Sequence, residues 1–413
     1  MGHRKVREAA AADIGAVVTD RAFREETSET SGLHGQPMIS QADLEKLRGL
    51  HTAEPDVLSL YLRVPLDPAG LRTLPARARD LIAAACAAGP DAQVTSLVSD
   101  ADRDAVLDAV LAHGRDWLGH TVAIFACRRL GLLETLPLPC ALPERAILAT
   151  RPHVRPLLAA LQRCPAYRVV VTDRRHAWVL SVRGDQVHTV ATPATEAPRS
   201  SGFGGWYGLQ AHNVQQRLMQ LTRHHYRDVA AILEQADAGD HEPLVIGGHQ
   251  DAIGHLLQLL PHALRDDFAG SFAGDPLTLT PARVRELAAP VIGRWTARRE
   301  RELTKEIVDA APGQLTVVGM PACLAAVNAG AAALLLLPDE GIVPGFECGR
   351  CGALSTTGDD CPDWGTAARV VPDLLEEMAS RTLDGGGRVI SVSDAPVSAA
   401  AKLRFPVQRG ADR

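Results

Sequence analysis

Ala326–Glu340 reads AVNAGAAALLLLPDE, Leu375–Asp394 reads LEEMASRTLDGGGRVISVSD, and Ala399–Phe405 reads AAAKLRF. The first stretch is the end of a helix, a corner at Gly330 and a short apolar strand, Ala332–Leu337. The second predicts a helix over Pro372–Thr382, a glycine-rich corner and a strand over Arg388–Ser393. Upstream, a strand over Gln314–Val318 and a helix over Ala322–Ala329 complete the alternation. Strands that alternate with helices bury their apolar faces as α/β layers.

Outward from this core, Thr280 and Pro281 read as the N-cap and first position of a helix that runs past Pro290, where a kink is expected. Arg294, Arg298, Arg299 and Arg301 alternate there with Glu300, Glu302 and Glu306, the pattern of a solvated connector. Before it come strand Tyr167–Thr172, then Trp178–Val182 and Val187–Val190 flanking Arg183-Gly184-Asp185-Gln186 as a hairpin. A glycine-rich loop, Ser200–Gly208, precedes a long helix with apolar positions at Val214, Leu218, Leu221, Val229 and Leu233. Leu244–Ile246 is a strand feeding Gly247-Gly248 and a helix through Leu260. Earlier still, a helix over Gln41–Leu50, strand Val57–Val64, helices Ala76–Ala88 and Ala101–Leu118, strand Thr121–Cys127 and the stretch Gly131–Leu138 make a first unit that ends near Arg155. Residues 1–40 are polar and read as a mobile tail with a short helix near Ala9–Val18.

The bulk numbers narrow the function classes. The 413 residues allow two to four domains, and 46% hydrophobic residues fill several cores. A formal net charge of −6 excludes wholesale phosphate coating, so nucleic-acid contact must come from local basic patches. The longest apolar run, near Ala331–Leu337, is far short of the roughly 20 residues of a membrane helix. No apolar signal core follows His3, Arg4, Lys5 and Arg7, so a cytoplasmic location without membrane contact is expected.

Of the eight cysteines, Cys86, Cys127, Cys140, Cys164 and Cys323 are scattered among apolar residues and read as small core residues. Cys348-Gly-Arg-Cys351 followed by Cys361-Pro-Asp-Trp364 is close to a zinc ribbon, two turns each presenting a thiol pair to one tetrahedral ion. Trp364 stands where a fourth cysteine belongs. The fourth position is then open to Asp359, Asp360, Asp363 or water, or the site has decayed and Trp364 packs where metal once sat. Leu244-Val-Ile-Gly-Gly-His249 is better read as a tight strand-to-helix turn than as a phosphate site, because the dinucleotide fingerprint is incomplete. His224 and His225, about 100° apart on a helix, cannot readily share a ligand and are read as surface residues, RNA-facing at most.

The third unit, with its glycine corner and its ending Leu403-Arg404-Phe405, resembles the C-terminal domain of the class 1 release factors of archaea and eukaryotes and of Pelota. The middle unit resembles that superfamily's central domain, a loop presented ahead of a long helix. The first unit, from VLSLYLRV onward, resembles the bacterial branch that includes the hibernation factor Balon. The resemblance covers roughly residues 41–407. The expected fold class is α/β: three α/β domains in series resembling release factor and Pelota domains, the third with a zinc-ribbon-like insertion. Their expected limits are a tail at 1–40, an N-terminal α/β domain at 41–155 on the decoding side, a central domain with the glycine-rich loop at 156–280, and a connector helix with the C-terminal α/β domain at 281–413.

In those release factors a Gly-Gly-Gln tripeptide at the tip of the central domain places the water that attacks the ester. Here the loop offers Arg199, Gly202, Phe203, Gly204, Gly205, Trp206, Tyr207, Gly208 and Gln210: Gly204-Gly205 is followed by Trp206, and Gln210 lies five residues on. Catalysis demands geometry held within about an ångström, so the displaced glutamine argues against hydrolysis. Flexible glycines and aromatic faces still suit an RNA cavity. The stop-codon-associated Asn-Ile-Lys-Ser is absent too. The resemblance therefore implies a ribosome A-site-binding translation factor, acting in hibernation or stalled-ribosome handling without peptide release. Its implied partners are rRNA and elongation factor Tu or another translational GTPase; its metal, if any, is zinc on Cys348, Cys351 and Cys361. The rival readings are a peptidyl-tRNA hydrolase using Gln210 and a nucleotide-binding enzyme built on Gly247-Gly248.

Overall fold

The structure is a computed structural model that describes residue 39 and residues 41–87, 100–195, 207–236, 241–310, 315–361, 364–393 and 397–407. The expected tail lies outside these residues, except that Ile39 is buried in the core beside Leu44 and Leu47 of α1 (Gln41–Arg48).

The first sheet is antiparallel throughout, in the order β3-β2-β1-β4: β1 is Val57–Arg63, β2 Thr121–Cys127, β3 Leu132–Leu138 and β4 Arg145–Ala149. Alternation in β1 sends Leu58, Leu60 and Leu62 to one face, where they meet Leu74, Ala78 and Ile82 of α2 (Pro68–Ala87) and Val106 and Val110 of α3 (Asp100–His113). Val57 and Tyr61 point the other way. That face is buried as well, so six of the seven β1 residues are buried. Strand β4 was not anticipated from the sequence, and the helix expected at Ala76–Ala88 begins earlier, at Pro68.

The middle sheet is mixed, ordered β7-β6-β5-β8-β9, with β5 Tyr167–Thr172, β6 Ala177–Arg183, β7 Gln186–Ala191, β8 Leu244–Gly248 and β9 Phe268–Phe272. The β6–β7 hairpin pairs Arg183 with Gln186 across Gly184, whose φ of 57° is the left-handed value such a turn needs. Strands β5, β8 and β9 run parallel. One face of the sheet packs on α5 (Tyr207–Ala236) and α6 (Gln250–Leu259), through Tyr226, Val229, Leu233, Ile253 and Leu256. The other packs on the first half of α8 (Pro281–Asp309), through Val284, Ala288, Val291 and Ile292; the short α7, His262–Asp266, precedes β9. Thr280 caps α8, its hydroxyl accepting the Arg283 N–H at 3.3 Å, and the helix continues through Pro290.

The third sheet is ordered β10-β16-β11-β15, with β10 Thr316–Val318, β11 Ala332–Pro338, β15 Arg388–Val392 and β16 Ala400–Leu403. The chain's last strand, β16, thus lies inside the sheet, antiparallel to both neighbours, while β11 and β15 are parallel. Helices α9 (Met320–Asn328) and α10 (Leu374–Asp384) cover one face, and Ile307 from the far half of α8 meets Leu336, Val392 and Ala400 on the other. A small sheet of β12 (Gly345–Cys348), β13 (Leu354–Ser355) and β14 (Ala368–Val371) forms the insertion between β11 and α10.

A helix absent from the sequence reading, α4 (Arg155–Arg163), joins the first and third segments. Val154, Leu157, Leu158 and Ala160 share one core with Tyr61 and Phe125 of the first sheet and with Leu335, Leu375, Met378 and Leu403 of the third. Gln162 closes the outer edge of β15: its amide donates to the Val389 carbonyl at 2.7 Å, and its oxygen accepts the Ser391 N–H at 2.8 Å. An unpaired strand edge invites foreign strands, and here a side chain takes the place of one.

Candidate functional site

Two places carry chemistry: the root of the glycine-rich loop and the cysteine insertion. The loop residues Arg199, Gly202, Phe203, Gly204, Gly205 and Trp206 lie outside the described residues. Tyr207, Gly208 and Gln210 fall in the first turn of α5, which places Gln210 on a helix and not at the loop tip.

The strand side of the root is well defined. After β7 the chain stays paired, through an isolated bridge between His176 and Ala194 and a bond from Thr195 N to Arg175 O at 2.8 Å. The turn opposite is held by Asp173, whose carboxylate accepts both the Arg175 and the His176 N–H at 2.6 Å. Burial pushes that carboxyl up, but these donors outweigh it and leave it below its ordinary value.

His225 reaches this root from α5. Only 1% of it is exposed, so it is not the surface residue that its position beside His224 had implied. The physical reason is the 100° step: His224 points outward toward Asp228, while His225 turns inward between the strands. Its Nε2 lies 3.5 Å from Thr172 Oγ1 and its Nδ1 3.3 Å from Thr195 Oγ1. The Thr172 hydroxyl already donates to the carbonyls of Asp173 and His176, so it can only accept from His225. The imidazole then carries its proton on Nε2 and accepts the Thr195 hydroxyl at Nδ1. Burial lowers its pKa and favours this neutral form. Spacing alone gave no sign of this latch, since both threonines are distant in sequence.

The glycines of β8 have a packing reason. A Cβ on Gly247 would meet Phe272 at 2.6 Å, and one on Gly248, at φ 155°, would meet the Thr172 carbonyl at 2.5 Å. The strand-to-helix turn needs no ligand to explain it.

In the insertion, Cys348, Cys351 and Cys361 bring their sulfurs within 4.8 Å of one another, with Cys351 and Cys361 3.6 Å apart. Two tight turns present them. Gly352, at φ 74°, closes the first by donating to the Cys348 carbonyl, and Gly365, at φ 58°, closes the second on the Cys361 carbonyl. The Arg350 N–H points at Cys348 Sγ from 3.5 Å, and Thr366 Oγ1 lies 3.1 Å from the same sulfur. The backbone N–H of Cys351, the Thr366 hydroxyl and the Arg350 N–H lower this thiol to about 6. Such a thiol is largely thiolate at neutral pH, the form that binds metal.

Asp359 and Asp360 are exposed and do not join the group, and Asp363 lies outside the described residues. Trp364 does not fill the cluster either. It is 49% exposed and lies beneath the Arg350 guanidinium, 4.0 Å from its ring centre. Thr366, next to Cys348, was not anticipated.

Residues 152–311 match the model of bacterial archaeo-eukaryotic release factor family 10. Over this segment the chain has the superfamily likeness read from its sequence. No curated protein matches. Among solved structures, an archaeal translation termination factor, aRF1, is 14% identical, with 89% of this chain and 99% of that one covered at a TM-score of 0.25. Archaeoglobus fulgidus Pelota is 15% identical over 70% of this chain and 81% of its own, with a TM-score of 0.35. Dom34 of S. cerevisiae, a translation termination-like factor, is 12% identical over 71% and 83%, with a TM-score of 0.39. No described helix is long and apolar enough to cross a membrane.

Proposed function

We propose that this chain, whose residues 152–311 are of the bacterial archaeo-eukaryotic release factor kind, is a cytoplasmic translation factor that binds the ribosomal A site without releasing peptide. The observation that carries the reading is the middle segment itself: a matched release factor segment whose loop reads Gly204-Gly205-Trp206 where the release enzymes carry Gly-Gly-Gln. Gln210, in the first turn of α5, sits on the root side of that loop. The role that fits is ribosome hibernation or the handling of stalled ribosomes, with the three segments 41–155, 156–280 and 281–413 as its working parts. A translational GTPase of the elongation factor Tu kind is the partner expected alongside rRNA.

The three thiols of Cys348, Cys351 and Cys361 suit three corners of a structural zinc site, a fit supported by their convergence and by the N–H donor aimed at Cys348. Zinc would supply a cross-link between the two turns and no chemistry of its own.

Sedimentation with purified ribosomes, paired with a peptide-release assay on stalled ribosomes, tests the reading. The expected result is binding with release at the background rate, unchanged by Gln210→Ala. Hydrolysis that Gln210→Ala abolishes would make the rival reading, a peptidyl-tRNA hydrolase, the correct one.

A further inference from the structure

Helix α8 has a face that neither neighbouring sheet uses. Val284, Ala288, Val291 and Ile292 are spent on the middle sheet, Thr304 and Ile307 on the third. At 100° per residue, Arg294, Arg298, Arg301 and Lys305 fall within an arc of about 60°, one above the next. All four are exposed. The rise between them is about 6, 4.5 and 6 Å, a strip about 16 Å long.

Of the acidic residues of the same helix, exposed Asp309 lies at the C-terminal end of this arc, one turn beyond Lys305, and the others stand aside from it. Glu302 flanks it and reaches Arg298 at 3.9 Å, and Glu306 turns to Lys402 at 3.6 Å. Glu300 is occupied, accepting the Ser393 N–H at 2.6 Å. Among the described residues, Arg294, Arg301 and Lys305 have no carboxylate partner. Beside the strip runs a groove of about 460 Å³, lined on the helix side by Arg301, Thr304, Lys305 and Val308 with the carboxylates of Glu300 and Asp309, and on the other by Val392 and Ser393. In a chain of net charge −6, four exposed cations in one row, only Arg298 of them ion-paired, are a local basic feature.

We propose that this face of α8, with its groove, is a docking strip for the sugar–phosphate backbone of RNA. The row presents cations at steps of about 6, 4.5 and 6 Å, comparable with the spacing of successive phosphates along one strand. The groove gives a backbone room to lie against Arg301 and Lys305. The contact is phosphate-directed and so independent of base sequence. It rests on the ribosome-binding reading only for which RNA is meant, and it lies apart from the glycine-rich loop.

The test uses the full chain and two triple variants of equal charge change: Arg294→Glu/Arg301→Glu/Lys305→Glu on the strip, and Arg72→Glu/Arg79→Glu/Arg115→Glu on the exposed surface of the first segment. Circular dichroism should be unchanged in both, since every replaced side chain is exposed. Binding to a short labelled RNA hairpin, followed over a salt series, should weaken on the order of 100-fold in the strip variant, with a salt slope shallower by about 2–3. The control variant should stay within a few-fold of wild type. Equal losses in both variants, or none in the strip variant, would overturn the proposal. Sedimentation with ribosomes separates the two readings. If wild type and strip variant sediment alike, the strip fails and the A-site reading stands. If the wild type does not sediment but only the strip variant loses the hairpin, the strip stands and the A-site reading fails.

Discussion

The middle segment and the paired outer segments solve the same packing problem in opposite ways. The middle sheet is covered on each face by helices that lie between its strands or directly after them in the chain, so its cores are built from residues 167–295 alone. The first and third sheets share a core through α4. Beside that apolar core their seam also buries charged side chains, Arg155, Asp373 and Glu376. Glu376 of α10 accepts the N–H groups of Val154 and Arg155 at 3.0 and 2.8 Å, filling the N-terminus of α4 with a carboxylate from another helix. Arg155, fully buried, donates to Asp373 at 2.9 Å and to the Pro338 carbonyl at 2.6 Å, and His153 Nε2 lies 2.9 Å from the same Asp373 oxygen. A seam of buried charges makes two segments that are far apart in sequence rise or fall together.

That contrast breaks first at Asp373. Replacing it with alanine leaves Arg155 buried without its counter-charge, a loss of about 3–5 kcal/mol. Hydrogen-exchange protection should fall in β1 and β11 together and stay unchanged in β5. A drop confined to β11 would mean that the two outer segments are not one unit. Acid probes the same seam. Burial would raise the Asp373 carboxyl, but the His153 hydrogen bond and the charges of His153 and Arg155 bring it down to about 2. A carboxyl held below its ordinary value stabilises fully above that value, and the stabilisation disappears as pH falls from about 3.8 to about 2.

The insertion sharpens the comparison, because its two turns meet through the three sulfurs, the Thr366 hydroxyl on Cys348 and the stack of Arg350 on Trp364. Elemental analysis should find close to one zinc per chain, lost in Cys348→Ser/Cys351→Ser, with β5 and β1 protection intact. Metal-free protein whose stability matches that of chelated samples would leave the three thiols without a metal role.

In the middle segment the expected effects are smaller and local. Trp206→Ala should weaken ribosome binding about tenfold or more, from a base–aromatic stack of roughly 1–3 kcal/mol, without unfolding the sheet. His225→Phe removes two hydrogen bonds at the loop root, about 1 kcal/mol each, and should raise protease cleavage between β7 and α5 while leaving β5 protected. Because burial holds the His225 pKa below 6.5, an opened root binds the proton more readily than a closed one. The latch is therefore complete above pH 6.5 and loosens as pH falls below it. Cleavage that is flat from pH 7.5 to about 5 would break this account.

Much of this molecule was determined by local sequence. Thr280-Pro281 started a helix because a hydroxyl cap and a preset φ act within one turn. Gly184 made a hairpin because the turn needs a left-handed residue, and Gly330 with the apolar run after it made a corner and a strand for similarly local reasons. The spacing of Cys348, Cys351 and Cys361 likewise predicted a convergence that the two turns provide. What only the tertiary structure decided depends on partners that sequence distance conceals. Helix α4 carries Arg155 and Gln162, an unusual pair for a buried helix, and is secured by Glu376, Asp373 and the edge of β15, more than 200 residues away. His225 looked like half of a surface pair until Thr172 and Thr195 closed on it. Periodicity records which face of an element is apolar. It does not record which distant polar group will satisfy a buried one, and in this chain the seam and the loop root are both built from such pairings.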